Sequence, residues 1–228
     1  MLLAVDTSTA QIGLGLYDGV QVVAESVWYS KQHHTVELAP ALSGLMRRAG
    51  VSMGDVLAVG VALGPGSFTA LRVGLAFVKG LTLSRKLAII GIPTLDVLAA
   101  GQPVSKLPLA AVLQAGRGRI AVCRYKSSAS KPASASPWKS EGAAEITTVD
   151  DLADSIDKPT LVAGELTAAE RQRLARKKVN VVLAPPHLCV RRPSILASLA
   201  WTRWHDGQLD EAASLAPIYL QLPQPVPT

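Results

Sequence analysis

Apolar residues follow two rhythms along this chain. Compact apolar runs at 2–5, 12–17 and 20–28 read as strands, the last two joined by a hairpin-type turn at "YDGV". Between 35 and 49 the rhythm changes: Leu38, Leu42, Leu45 and Met46 recur at helical spacing. A strand at 56–63, a helix at 68–83 and a strand at 87–92 follow. Three strands, then helix, strand, helix and strand predict a mixed sheet with an antiparallel edge and parallel crossovers.

The first pattern returns later. "LLAVDTSTAQIGLGLY" (2–17) and "AAVLQAGRGRIAVCRY" (110–125) align without a gap, each a strand, a polar turn, a second strand and a closing Tyr. Two copies of one unit imply two related domains. Beyond the second copy, "KSSASKPASASPWKSEG" (126–142) is rich in Ser, Ala and Pro and reads as a flexible loop. A helix at 149–156, a strand at 160–163, a helix at 167–177 and a strand at 179–183 complete a smaller second unit. The expected domains are 1–103, rejoined by 191–228 (a helix near 194–205 and the tail), and a reduced domain at 104–190.

Composition narrows the class. With 49% hydrophobic and 18% charged residues among 228, the chain is globular rather than disordered. Cys123 and Cys189 show no metal or redox spacing, and "MLLAVDTSTA" carries Asp6 too early for a signal peptide or membrane span, so a reducing cytoplasm is expected. The net charge of +6 gathers at Arg171, Arg173, Arg176, Lys177, Lys178, Arg191 and Arg192. That run reads as a solvated helix face, with weak attraction to an RNA backbone as the alternative.

A duplicated strand-turn-strand unit with Asp6 in its first turn resembles the α/β, two-domain actin-like fold of the sugar-kinase and heat-shock ATPase superfamily, a ribonuclease H-like architecture. There acidic residues of both turns serve a divalent metal or a nucleophile. Here the first turn is "DTST", with Asp6, Thr7 and Ser8, but the aligned second-turn position is Gln114, which supplies no carboxylate. A metal–nucleotide site on one carboxylate is a poor one, so the expectation is a degenerate site with no metal and no catalytic residues. His33 and His34 are adjacent and point to different helix faces, which excludes joint chelation.

"GPGSFTALRVG" (64–74) joins a strand to a helix, the layout of a phosphate cradle, yet it lacks the G-K-[ST] of a P-loop and the G-x-S-x-G of a nucleophile elbow. It is expected to hold no phosphate. Gly64 and Gly66 permit a sharp exit, Pro65 restricts it, and Ser67 caps the helix. That helix is apolar nearly all round: Phe68, Leu71, Leu75 and Val78 form one stripe, and Val73, Ala76, Phe77, Gly80 and Leu81 lie opposite. One reading sandwiches it inside a single large core. The other makes it half of an intersubunit bundle, in which Phe68, Leu71, Leu75 and Val78 meet Leu38, Leu42, Leu45 and Met46, with Arg72 as a rim or buried polar anchor.

"DTST" (6–9), "HTVELAP" (34–40), "GPGSFTALRVG" (64–74) and "PIYLQ" (217–221) resemble the TsaB (YeaZ) family over almost the whole chain. Three departures stand out: Ala70 for the usual Gly, "LQAGRGRIAV" without the common Asp-Ala-Arg start, and Gln221 where Arg is frequent. The resemblance implies a cytoplasmic, non-catalytic, scaffold-type subunit of the machinery that makes threonylcarbamoyladenosine in tRNA. It implies a catalytic TsaD-like paralogue and a small TsaE-like ATPase as partners, homodimers when alone, tRNA contact through the complex, ATP used by the complex rather than bound here, and no membrane. An active kinase or protease of the superfamily and a direct tRNA-binding module are the alternatives.

Overall fold

The computed structural model describes residues 1–30, 33–128, 136–176 and 180–220. Two mixed sheets make up its framework. The first comprises β1 (Leu2–Asp6), β2 (Gln11–Tyr17), β3 (Val22–Tyr29), β4 (Ala58–Ala62) and β5 (Ala88–Ile92), ordered β3-β2-β1-β4-β5. β1 pairs antiparallel with β2 and parallel with β4, as the antiparallel-edge pattern requires. α1 (His34–Ala49) leads into β4, and α2 (Phe68–Arg85) connects β4 to β5.

β1 is buried along its whole length because both sides of the sheet are covered. Leu3 and Val5 pack with Leu38, Leu42, Leu45 and Met46 of α1 and Leu75 and Val78 of α2. Leu2 and Ala4, pointing the other way, pack with Leu196, Ala197 and Ala200 of the last helix. The period-two alternation of a strand thus divides one apolar run between two cores.

The second sheet repeats the plan. β6 (Leu109–Gly116) and β7 (Arg119–Ser127) match β1 and β2, and the full order is β11-β10-β6-β7-β8, with β9 also on β7. Its remaining elements are β8 (Trp138–Ser140), β9 (Glu145–Thr147), α4 (Val149–Ser155), β10 (Thr160–Gly164), α5 (Ala168–Arg176) and β11 (Val181–Leu183). β10 lies parallel to β6, just as β4 lies parallel to β1. This is the two-domain actin-like fold.

Two helices lie between the sheets. α3 (Thr94–Ala100), absent from the sequence-based expectation, follows β5 yet sends Leu95, Leu98 and Ala99 into the second sheet's core. α6 (Pro193–His205) follows the second sheet and packs across β1, β2, β4 and β5 of the first. The expected loop at 126–142 also needs correction: Trp138–Ser140 is a strand paired with the end of β7, and the buried Trp138 donates its Nε1–H to Gln102 O at 3.2 Å. Short strands with a single large apolar anchor carry too little periodicity to stand out in a Ser/Pro-rich stretch. The rest of that expected loop (129–135), the Lys177 and Lys178 positions and Gln221 lie outside the described residues.

Candidate functional site

The two strand-turn-strand units point toward one another across a cleft of about 1100 Å³. Thr9, Tyr29 and Phe68 line it from the first sheet's side, Gln114 and Glu165 from the second's, and Tyr219 from the C-terminal segment.

The first turn is closed to solvent. Asp6, Thr7, Ser8 and Thr9 are all buried. Asp6 Oδ1 accepts from Ser8 N at 2.8 Å, which fixes the carboxylate against its own turn. Thr7 donates its hydroxyl to Ala70 O at 2.8 Å, and the Ser8 and Thr94 hydroxyls bond at 2.7 Å.

The glycine-rich segment is knitted onto that turn. Ser67 N donates to Ser8 O at 2.7 Å, and Gly64 N donates to Thr94 Oγ1 at 2.8 Å. A Cβ on Gly66 would lie 2.1 Å from Ser8 O, so only glycine fits there. Ser67 occupies the N-cap of α2, with Ala70 N reaching its Oγ at 3.5 Å. Two of the segment's amide protons are thus spent on the DTST turn and Thr94. Pro65, which has none, lines the cleft beside it.

Asp6 has a partner that the sequence did not reveal. Arg191, whose side chain is fully buried, donates Nε to Asp6 Oδ2 at 2.7 Å and Nη1 to Glu165 Oε1. Its Nη2 donates to Thr9 Oγ1 at 2.9 Å and Gln11 O at 3.2 Å. Burial opposes this charge, but the two carboxylates outweigh it and push the guanidinium's pKa further up. The assignment of Arg191 to a solvated basic face is therefore wrong: it lies between two acids. Arg192 does stay outside, paired with Glu25, and Arg173 pairs with Asp150. Arg191 sits in a plain Arg-Arg-Pro run before a helix, with no spacing that marks a buried cation.

Gln114, across the cleft, is likewise engaged. Its Nε2 donates to Glu165 O at 3.1 Å and Glu170 Oε2 at 2.7 Å. Among the described residues, no group of three or more His, Cys, Asp or Glu side chains could hold a metal ion.

The expected interface stripe lies mostly in the chain's own core. Leu38, Leu71 and Val78 are buried to 1% exposure or less within the chain itself, and Leu42, Leu45, Met46 and Leu75 keep only 5–7%. Phe68 is the exception, 56% exposed at the cleft rim, stacked 5.0 Å from Tyr219 and with the Arg72 guanidinium 4.6 Å from its ring centroid. The outward side of α2 is the opposite stripe: Ala76 and Gly80 are exposed, and Val73, Phe77 and Leu81 are half-buried. Beside it α1 exposes Val36, Ala39, Pro40 and Ser43. Between the helices runs an apolar groove of about 400 Å³ floored by Leu42 and Met46 and walled by Phe77 and Leu81.

Comparison with known proteins gives consistent results. Residues 21–137, just over half the chain, match the family model described as TsaD, tRNA N6-adenosine threonylcarbamoyltransferase. The tRNA threonylcarbamoyladenosine biosynthesis protein TsaB of Bacillus subtilis is 31% identical over 125 residues, 55% of each chain, and that of Escherichia coli is 33% identical over 44% of this chain and 43% of its own. The chain thus spans about half the length of these curated relatives. An uncharacterized Mycobacterium tuberculosis protein is 28% identical over 99% of this chain and 94% of its own. The solved structure of YeaZ from Pseudomonas aeruginosa superimposes with a TM-score of 0.78 at 24% identity, covering 96% of this chain and 99% of that one, which shows a shared fold. No helix among the described residues is long and apolar enough to cross a membrane.

Proposed function

Because the chain belongs to the TsaB (YeaZ) family, we propose that it acts in tRNA threonylcarbamoyladenosine biosynthesis as a non-catalytic subunit. The observation that carries the non-catalytic part is Arg191. The carboxylate that the first turn would offer a metal–nucleotide complex is neutralised by an internal guanidinium. The second turn offers only Gln114, whose amide is committed to Glu165 and Glu170. Neither turn is left with a free carboxylate to hold a metal or activate a nucleophile. ATP use belongs, in this reading, to the partners.

Those partners are a catalytic TsaD-like paralogue and a TsaE-like ATPase in the cytoplasm, with tRNA reached through the complex and homodimers formed in their absence. The face that would bind the paralogue or a second copy is the outward side of α1 and α2. Small residues there (Ala39, Ser43, Ala76, Gly80) permit close helix approach, and Phe77 and Leu81 supply apolar contact.

The test joins two assays. The purified protein is expected to turn over ATP at background rate, and a Ser43→Glu/Ala76→Glu double variant, altered only at exposed positions, is expected to lose both self-association and capture of the TsaD-type partner while its circular dichroism stays unchanged. ATP turnover abolished by Asp6→Ala would overturn the non-catalytic reading. Full partner capture by the folded double variant would overturn the interface.

A further inference from the structure

Arg191 does more than neutralise Asp6, because its four contacts come from both sheets. Asp6, Thr9 and Gln11 belong to the first sheet's strand-turn-strand unit. Glu165 belongs to the second: it directly follows β10, and its backbone N donates to Val112 O of β6 at 3.0 Å. Glu165 Oε1 also accepts from Thr9 Oγ1 at 2.7 Å. One carboxylate of the second sheet is thus gripped by a hydroxyl and a guanidinium seated on the first.

Arg191 lies on the return crossing between the sheets, one residue short of the residue that precedes α6. Its backbone N is itself fixed, donating to Gln11 Oε1 at 3.1 Å. Among the described residues, the chain passes from one sheet to the other at 101–108 and back at 184–192, and Gln102 Nε2 ties the two crossings together by donating to Leu188 O at 2.6 Å. Arg191 itself belongs to the second crossing, so its contact with Glu165 adds a non-covalent tie beside the covalent one. Without the guanidinium, Asp6 and Glu165 would face each other as like charges from opposite walls, and their repulsion would push the walls apart.

We propose that Arg191 is a built-in cation that locks the angle between the two sheets, with Glu165 as its catch, so that the cleft keeps one width with no ligand in it. The lock goes beyond the proposed role in tRNA modification and does not depend on it. Its consequence is that surfaces on the two domains are presented in one fixed relation, and that cleft width responds to the charge at Glu165 rather than to a bound nucleotide.

Inter-domain distances test this directly. Nitroxide labels at Ser84→Cys on α2 and Gln172→Cys on α5, both exposed positions, are placed in the full chain in a Cys189→Ser background, diluted with unlabelled protein to suppress distances between chains. Cys123 is buried and stays unlabelled. Pulsed electron–electron resonance is expected to give one narrow distribution for the labelled parent. Glu165→Ala, which leaves the Arg191–Asp6 pair intact and so keeps the first domain's core, removes the catch and is expected to broaden the distribution. Arg191→Lys, a point donor in place of a planar fork, is expected to fall between the two. A folded Glu165→Ala variant whose distribution superimposes on the parent's would overturn the lock, whatever its partners or ATP assays report.

Discussion

Replacing Arg191 by Met keeps an unbranched apolar stem, two atoms shorter, and removes the charge, leaving Asp6 with 2% of its side chain exposed and no cation beside it. Glu165, at 14%, reaches some water and is stranded less completely. Removing one partner of a buried pair typically costs about 3–5 kcal/mol, because the surviving charge is left uncompensated. Whole-domain stabilities run at roughly 5–15 kcal/mol, so Arg191→Met is expected to remove a large fraction of the first domain's stability. Most of that loss should lie in Asp6's stranded charge. Asp6→Asn in the Met background is therefore expected to recover part of it, although Asp6→Asn alone, which strands the guanidinium, destabilises. Urea unfolding of the four members of the cycle, followed by circular dichroism, gives the coupling directly. If Arg191→Met costs less than about 1 kcal/mol, or if the two single losses simply add, the buried-pair reasoning fails.

Three further outcomes follow from the packing. Leu42→Ala and Leu75→Ala, now placed in the core, are expected to cost about 2–5 kcal/mol each in urea unfolding while association of the folded fraction persists; loss of association without loss of stability would restore them to an interface. Gly74→Ala, a change that in an exposed helix gains about 1 kcal/mol, is expected to destabilise here, because its Cβ would lie 2.0 Å from Thr7 Oγ1, and Thr7→Ala should relieve the clash; a stabilised Gly74→Ala would contradict the geometry. Burial raises the Asp96 carboxyl above its ordinary 3.8 despite the hydroxyl that Tyr125 donates to it at 2.7 Å. The folded chain therefore holds that proton more tightly than the unfolded one, a contribution full below 3.8 and lost as pH rises through the folded value. Asp96→Asn, which still accepts from Tyr125, is expected to gain stability over the parent at about pH 7 relative to about pH 3; an equal difference at both would refute it.

Much of the framework was legible because long apolar periods encode it. The first sheet's strands, α1, α2 and the duplication of 2–17 at 110–125 all carry enough residues for the rhythm to show. The missed pieces are short: α3 has seven residues, and β8 and β9 have three each. Such segments are fixed by what they land on, as Trp138 is by Gln102, and not by their own periodicity. At the candidate site, the place of Gln114 in the second turn was readable from the alignment of the two units, since a residue type is a local fact. Arg191 was not: 185 residues separate it from Asp6, and only the fold brings the two together.

The reversed face of α2 shows the same limit more sharply. Both stripes of "FTALRVGLAFVKGLTL" are apolar, so hydropathy alone could not say which one meets the chain's own sheet. Side-chain size carries the missing information. Leu71, Leu75 and Val78 are bulky, and fill the space above β1 and β4, where a deletion would leave a void. Ala76 and Gly80 fill little, and a Cβ built on Gly80 meets nothing within 4 Å. Gly80 therefore answers no need of the monomer, unlike Gly74, which lies tight against Thr7. A helix glycine costs about 1 kcal/mol relative to Ala, and in the free chain nothing at this position offsets that cost. Close approach of another helix would offset it, which supports the outward stripe, rather than the larger residues beneath it, as the side proposed for a partner.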